Sequence, residues 1–163
     1  MHGDAACAVC AWEVRPRPAR ELVVAESDLW IVRHHMAPAP LVGWMQLISR
    51  RHVQGPAGFH DREAADFGRA LRDVCNALVR VTGAAKAYAI AFGEGSPHLH
   101  VHCVPRYAER GDTAAWKVAD WYRQVERGER PPAAAEDVTR CVLHVRAELM
   151  TAESMRWQGP AAG

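Results

Sequence analysis

Three histidines, His98, His100 and His102, alternate with apolar residues in one short stretch of the sequence. A β-strand sends successive side chains to opposite faces, so the three imidazoles are predicted to share one face. Leu99 and Val101 then point the other way, into a core. Burying an imidazole without a polar partner is unfavourable. The three histidines are therefore interpreted as a row that lines a site, rather than as part of a core strand. Histidine titrates near neutral pH, binds metals and can act as a nucleophile. A solvated strand face is the alternative.

Cys7 and Cys10 form a C-x-x-C pair early in the chain. This spacing is typical of a metal knuckle or of a redox dithiol. The redox form belongs at the start of a helix that follows a strand, and we expect no strand upstream of Cys7. A tetrahedral zinc site takes four ligands, so the pair needs two more from elsewhere in the chain. A lone dithiol or a chance occurrence is the alternative.

Length and composition indicate one domain, with room for an appendage. The chain has 163 residues, of which 49% are apolar, and this is enough to build a core. The net charge of +1 gives no support for a nucleic-acid-binding surface or a polybasic membrane anchor. No apolar run approaches the roughly 20 residues that span a bilayer, and we expect no signal peptide. The five cysteines are an odd number, which favours a reducing cytoplasm over a disulfide framework.

Hydrophobic periodicity predicts the elements that position these residues. Residues 22–25 and 29–32 are predicted to form a β-hairpin, and 44–49 a further strand. An amphipathic helix is expected to begin with Asp61 as its N-cap and to end at Gly83. Residues 87–92 form the next predicted strand, and a short glycine-containing loop then enters the histidine strand. A short strand is also expected over residues 12–14.

The sequence changes in character after Arg106. Residues 114–127 and 136–150 have helical patterns, separated by a linker over 128–134, and the tail over 158–163 is expected to fray. We therefore expect a catalytic part over residues 1–106 and a helical extension over 107–163 that packs on it. Trp116 and Trp121 are expected to cover the site or a subunit interface.

The segment His98–Arg106 and the upstream residues 47–53 resemble the histidine triad hydrolases and transferases. The first segment fits that family's His-φ-His-φ-His-φ-φ signature, in which φ is apolar, and the order of predicted elements over residues 7–106 also matches. The early C-x-x-C is similar to the bacterial branch related to diadenosine tetraphosphate hydrolases. The resemblance implies an α+β fold: an antiparallel sheet of about five strands with one main helix, to which the C-terminal helices are added.

The same resemblance implies a homodimer that acts at the α-phosphate of a nucleotide-like small molecule, with His100 as the nucleophile. His102 and Ser96 are then expected to donate hydrogen bonds to the phosphoryl oxygens, and the backbone near Gly95 to approach the same phosphate. The favoured function is hydrolysis of a dinucleoside polyphosphate or a nucleoside phosphoramidate through a phosphohistidine. A nucleotidyl transferase with an acceptor other than water is one alternative. A non-catalytic, zinc-stabilised binding protein is the other.

The family pattern also implies that His52 and His98 complete a structural zinc site with Cys7 and Cys10. His52 alone, flanked by arginines, would be assigned to the surface. The rival ligands are His34, His35 and His60.

The chain departs from the family pattern in two places. The loop before the histidine strand is only residues 93–97, shorter than the usual glycine-rich segment. Many members carry an acidic residue after the hairpin that holds the ribose hydroxyls, whereas this chain has Arg33-His34-His35-Met36. Neighbouring strand residues face opposite ways, so His34 and His35 are not expected to serve one site. The prolines that follow predict a surface loop.

Overall fold

The structure is a computed structural model that describes residues 7–13, 22–93 and 96–160. Its strands are β1 (Val23–Glu26), β2 (Trp30–His34), β3 (Met45–Ser49), β4 (Lys86–Ile90) and β5 (His100–Arg106). Its α-helices are α1 (Ala8–Glu13), α2 (Asp61–Thr82), α3 (Ala115–Val118), α4 (Trp121–Glu126) and α5 (Ala135–Met150). Short 3-10 turns lie over Pro56–Gly58 and Gly111–Thr113.

The five strands form one sheet in the order β1-β2-β3-β5-β4, and every neighbouring pair is antiparallel. The histidine strand β5 therefore lies inside the sheet, between β3 and β4. The 22-residue helix α2 makes the connection from β3 to β4. The predicted α+β fold, with a five-stranded antiparallel sheet and one main helix, is confirmed.

The two faces of the sheet differ in chemistry because side chains alternate along each strand. Leu99, Val101 and Cys103 point to one face and join a core made with α2 and α5. His100 and His102 point to the other face, where α1 packs over one end and α3 and α4 pack over the other. The sequence pattern predicted this division correctly.

The start of α2 differs from the prediction by one residue. His60, rather than Asp61, is the N-cap: its ring accepts the Glu63 backbone N–H, and the Glu63 carboxylate accepts the His60 backbone N–H. This reciprocal pair is a capping box. Glu63 is buried and also binds Arg51 through two hydrogen bonds, which offsets the burial of its charge. Gly83 ends the helix in the left-handed region, as predicted.

The expected strand over residues 12–14 is wrong. Residues 8–13 form the helix α1, and Val14 lies outside the described residues. Val9 and Trp12, three residues apart, share one side of α1 and pack against Val23, Ile31 and Ile48 of the sheet. These two apolar residues suffice to hold a short helix only because the sheet supplies the surface that they bury against.

The C-terminal helices cover both faces of the sheet. Val118 and Trp121 pack with Trp44 and Val104 on the histidine face, whereas α5 packs against α2 and β1 on the opposite face. Residues 128–134 connect the two groups of helices, as predicted. The division of the chain at residues 106 and 107 stays a prediction. In the part of the chain that the structure describes, no helix is long and apolar enough to cross a membrane.

The expectation that His34 belongs to a surface loop is wrong, and its burial predicts a pH dependence of stability. His34 is fully buried at the end of β2; its Nδ1–H donates to the His35 carbonyl, 2.9 Å, and its Nε2 accepts the Gly43 N–H, 2.9 Å. Burial lowers the pKa of His34 to about 4. The unfolded chain therefore binds the extra proton between pH 6.5 and 4, so stability falls as the pH falls through this range.

We expect this single histidine to remove about 3 kcal/mol of unfolding free energy between pH 6.5 and pH 4. The measurement is urea unfolding of the wild type and of His34→Gln, which keeps a donor and an acceptor but does not titrate. The variant should lose about 3 kcal/mol less over the same range. Equal losses in the two proteins would show that His34 is not held neutral by the fold.

Candidate functional site

A cavity of about 720 Å³ opens on the histidine face of the sheet, between α1 and the helices α3 and α4. Its floor includes His100 and His102 of β5 together with Gln46 of β3 and Arg33 of β2. These positions follow from the register, which pairs Arg33 with Gln46 and Gln46 with His102. Exposed apolar side chains line the cavity as well: Met36, Phe92 and Trp116. The cavity therefore joins a polar floor to apolar surfaces, as sites for small molecules do.

The backbone fixes the proton on the His100 ring. His100 Nδ1 lies 2.7 Å from the carbonyl oxygen of His98. A carbonyl only accepts, so Nδ1 carries the hydrogen and donates it. In the neutral ring the lone pair is then on Nε2, which has no hydrogen-bond partner among the described residues. An imidazole held this way presents a nucleophilic nitrogen to the cavity.

The opposite tautomer is fixed on His102. The Trp44 indole N–H donates to His102 Nδ1 at 2.8 Å, and an indole nitrogen is only a donor. The neutral His102 ring must therefore carry its hydrogen on Nε2. Burial, together with the nearby His100, His35 and Arg33 side chains, which disfavour a second positive charge, lowers the pKa of His102 to about 3, so this ring is neutral at pH 7. His102 is thus a fixed hydrogen-bond donor beside a fixed acceptor.

A cluster of two thiols and two imidazoles lies next to this cavity. One ligand atom from each of Cys7, Cys10, His52 and His98 lies within 4.8 Å of all the others. Cys10 Sγ is 3.4 Å from His52 Nδ1 and 3.3 Å from His98 Nδ1, and Cys7 Sγ is 3.7 Å from His98 Nδ1. In tetrahedral zinc sites the sulfur and nitrogen ligands are about 3.6 Å apart, from Zn–S near 2.3 Å and Zn–N near 2.0 Å. The four residues therefore fit such an ion.

The hydrogen bonds and the burial around the cluster favour the protonation states in which its nitrogen and sulfur atoms bind a cation. His98 Nε2 donates to the Ser49 carbonyl at 2.6 Å, which leaves the Nδ1 lone pair facing the two sulfur atoms. Burial lowers the pKa of His98 and so favours the neutral, ligating form. Burial opposes ionisation of Cys7, but hydrogen bonds from the backbone of Cys10 and from Ser96 outweigh it, and the pKa of Cys7 lies below its ordinary value.

The rival ligands lie elsewhere. His34 is buried at the end of β2, and His60 caps α2. His35 lines the cavity, with its ring centroid 6.2 Å from that of His102. The structure thus places His52, out of the four candidates, beside His98. It also agrees that His34 and His35 do not share a site.

Ser96 lies between the cluster and the cavity. Its hydroxyl oxygen is 3.7 Å from Cys7 Sγ, and the residue also lines the cavity near His100 and His102. Gly95, the other residue expected near the phosphate, lies outside the described residues. The phosphate-binding roles of Ser96 and Gly95 stay predictions.

Sequence reasoning missed three residues of the site. From the sequence, Trp44 would be assigned to the hydrophobic core. Only the pairing of β3 with β5 shows that its indole lies beside His102. Gln46 is buried on the histidine face and accepts a hydrogen bond from Arg33 Nε at 2.8 Å. In the sequence Arg33 stands out only as part of a departure from the family pattern. The neighbours of Arg33 in the sequence do not indicate which face of the sheet its side chain is on. Only the alternation along β2, counted from Trp30 to the end of the strand, places Arg33 on the face opposite Trp30.

No family model matches the sequence, and no curated protein matches it. Among solved structures, the chain is similar to a HIT-like protein involved in cell-cycle regulation from Bartonella henselae, with a TM-score of 0.64, 16% identity and coverage of 91% of this chain and 99% of that one.

Two further structures are similar. A Zn-bound histidine triad family protein from Mycobacterium smegmatis has a TM-score of 0.64 and 17% identity, over 91% of this chain and 98% of that one. A histidine triad protein from Bradyrhizobium japonicum has a TM-score of 0.60 and 23% identity, over 83% and 96%. These likenesses, with His100 and His102 on the inner strand β5 and His98 just before it, confirm the resemblance at the level of the fold: the chain has the fold of the histidine triad proteins.

Proposed function

We propose that this protein cleaves a nucleotide-like substrate at its α-phosphate and that His100 is the nucleophile. The observation that carries the proposal is the pair of opposite tautomers on β5. The His98 carbonyl leaves a lone pair on His100 Nε2, and the Trp44 indole leaves a hydrogen on His102 Nε2. A nucleophile and a donor for the phosphoryl oxygens are therefore side by side, with ring centroids 5.1 Å apart.

In the first step His100 Nε2 attacks phosphorus and forms a P–N bond, and the leaving group departs with the electron pair of its bond to phosphorus. The ring then carries positive charge, which strengthens its Nδ1–H hydrogen bond to the His98 carbonyl. His102 donates to a phosphoryl oxygen as charge develops on it. In the second step water attacks phosphorus and releases a proton to the solvent, the P–N bond breaks, and its electron pair returns to His100.

A nucleotidyl transferase shares the first step and differs in the acceptor of the second. The experiment is a screen of diadenosine polyphosphates and adenosine 5'-phosphoramidates, with and without an added acceptor such as inorganic phosphate. Release of free AMP supports hydrolysis, and AMP attached to the acceptor supports transfer. A protein that binds these compounds and never releases AMP would be the non-catalytic binding protein.

We further propose that Cys7, Cys10, His52 and His98 hold a structural zinc ion. The support is the tetrahedral fit of the four atoms, the donor set of two sulfur and two imidazole ligands, and the zinc bound by the similar M. smegmatis protein. A bound ion would tie α1 to the residues that follow β3 and precede β5. Thiolate ligands persist in a reducing compartment, which agrees with the cytoplasmic location expected from the sequence.

We also propose a homodimer. Strand β4 is an edge of the sheet, with Lys86 and Ala89 exposed along it, and an open edge is a surface on which a second chain can pair. Sedimentation equilibrium at tens of micromolar protein should give a mass of about twice the 18.0 kDa of one chain. The mass of a single chain at this concentration would count against a dimer.

Trp44 is expected to act as a positioning residue for His102. Trp44→Phe keeps a ring but removes the N–H, so His102 can take either tautomer and presents its donor less often. Losing one neutral hydrogen bond of about 1 to 1.5 kcal/mol predicts a drop of about ten-fold in kcat, with KM little changed. The control is Trp30→Phe, because the buried Trp30 indole N–H has no hydrogen-bond partner among the described residues. A similar drop in both variants would indicate a general loss of packing instead.

A further inference from the structure

Arg33 lies on the floor of the cavity, two strands away from the proposed phosphate-binding His102. The register pairs Arg33 with Gln46 on β3, and Gln46 with His102 on β5. Neighbouring strands are about 4.8 Å apart, so the backbone of Arg33 is about 10 Å from that of His102. Arg33 is therefore in the same cavity as the triad but at a distance from the reacting phosphate.

The Arg33 side chain is buried, and none of the described residues gives it a counter-charge. Only 6% of the residue is exposed. Its Nε donates to Gln46 Oε1, and its guanidinium stacks on the Trp12 ring at 4.2 Å, but Nη1 has no hydrogen-bond partner and no carboxylate pairs with it among the described residues. Burial lowers its pKa to about 10, so the charge is still present at pH 7.

A buried cation without an anionic partner is costly, and a buried N–H without an acceptor adds to that cost. Trp12 and Gln46 orient the guanidinium but do not neutralise it. The group lines a cavity that is large enough for a nucleotide, so an anion that enters the cavity can supply both the charge and the acceptors. Guanidinium matches phosphate and carboxylate oxygens through paired N–H donors, whereas the two hydroxyls of an unmodified ribose need acceptors as well as donors.

We propose that Arg33 binds a second anionic group of the substrate, carried on the sugar of the part that His100 retains. This inference rests on the proposed function. The separation of Arg33 from His102 suits two anions on different parts of one ligand, rather than two oxygens of one phosphate. The substrate class is thus a nucleotide with a phosphate at its 2' or 3' position in addition to the 5' α-phosphate.

Three nucleotides test the proposal by calorimetry on the full, zinc-loaded chain at 0.15 M salt: AMP, adenosine 2',5'-bisphosphate and adenosine 3',5'-bisphosphate. We expect at least one bisphosphate to bind about ten-fold or more tightly than AMP, the size of a charge-assisted contact. Arg33→Met should remove this preference, lowering the affinity for the bisphosphate much more than the affinity for AMP. Arg33→Lys, which keeps the charge without the paired donors, should retain part of it, and thermal unfolding reports whether each variant is folded.

Arg123→Met is the matched control. Arg123 also lines the cavity, but its side chain is 60% exposed and it pairs with Asp120. General attraction of a more highly charged ligand predicts equal effects of the two substitutions, whereas the proposal predicts a loss of the preference only at Arg33. Equal affinities of the wild type for all three nucleotides overturn the proposal. So does an Arg33→Met variant that loses affinity equally for AMP and the bisphosphates. Failure of the wild type to bind any of the three contradicts the proposed function itself, and this inference with it.

Discussion

His100→Asn is expected to lower turnover by at least about ten-thousand-fold, because the substitution removes the atom that forms the covalent bond and with it the two-step route. Asparagine is polar and smaller than histidine, and position 100 lines a cavity, so the fold should accept it. The neighbouring metal ligand His98 and the donor His102 are left in place. The measurement is single-turnover AMP release from the best substrate of the screen.

The control for this prediction is His144→Asn, the same substitution at an exposed position of α5. It should leave turnover unchanged. Zinc content and the thermal midpoint should be the same in wild type, His100→Asn and His144→Asn. Substantial activity in a folded His100→Asn protein would remove His100 from the nucleophilic role and would turn the triad into a binding or metal site.

Removal of zinc is expected to have the largest effect on stability. Protein purified without chelator should hold about one zinc per chain, because four ligands saturate one tetrahedral ion. An ion that binds only the folded state adds about 4 kcal/mol at a free concentration one thousand times its Kd. For a chain of this size, the loss of this stabilisation corresponds to a fall of about 10 °C in Tm, which we expect when zinc is removed by a chelator. Cys10→Ser should reproduce this fall in Tm. Its effect on the turnover of the folded protein should be smaller than its effect on the stability of the fold.

Cys75→Ala is the matched cysteine control. Cys75 lies on α2, packed against the core on the opposite face of the sheet, and belongs to no metal cluster among the described residues. Its substitution should leave the zinc content at about one equivalent. Less than about a tenth of an equivalent in wild-type protein never exposed to chelator would contradict the zinc proposal.

The sequence pattern was sufficient where periodicity is strong and local. Alternation over His98–Cys103 predicts which side chains face the core, and the apolar spacing from Phe67 to Val81 predicts the long helix. The C-x-x-C pair required ligands that are far away in the chain. Only the family resemblance pointed to His52, a residue that local sequence would assign to the surface.

The rest of the site depends on contacts that no single segment encodes. Helix α1 is too short for a clear period and is held by the sheet surface beneath Val9 and Trp12. The prolines after His35 predict a loop, but pairing with β3 extends β2 through His34. Whether Arg33 is exposed or buried depends on where Trp12 packs, which is a tertiary contact. The tautomer of His102 likewise depends on the register that brings Trp44 to it.

The nucleophilic role of His100 is tested most directly by trapping the covalent intermediate. Wild-type protein is mixed briefly with substrate labelled at the α-phosphorus, quenched in alkali because P–N bonds to histidine are labile in acid, and digested to map the label. The proposal predicts label on the peptide that contains His100 in the wild type and in His144→Asn, and none in His100→Asn. Label on another residue, or AMP release by the wild type with no labelled peptide at any quench time, would contradict it.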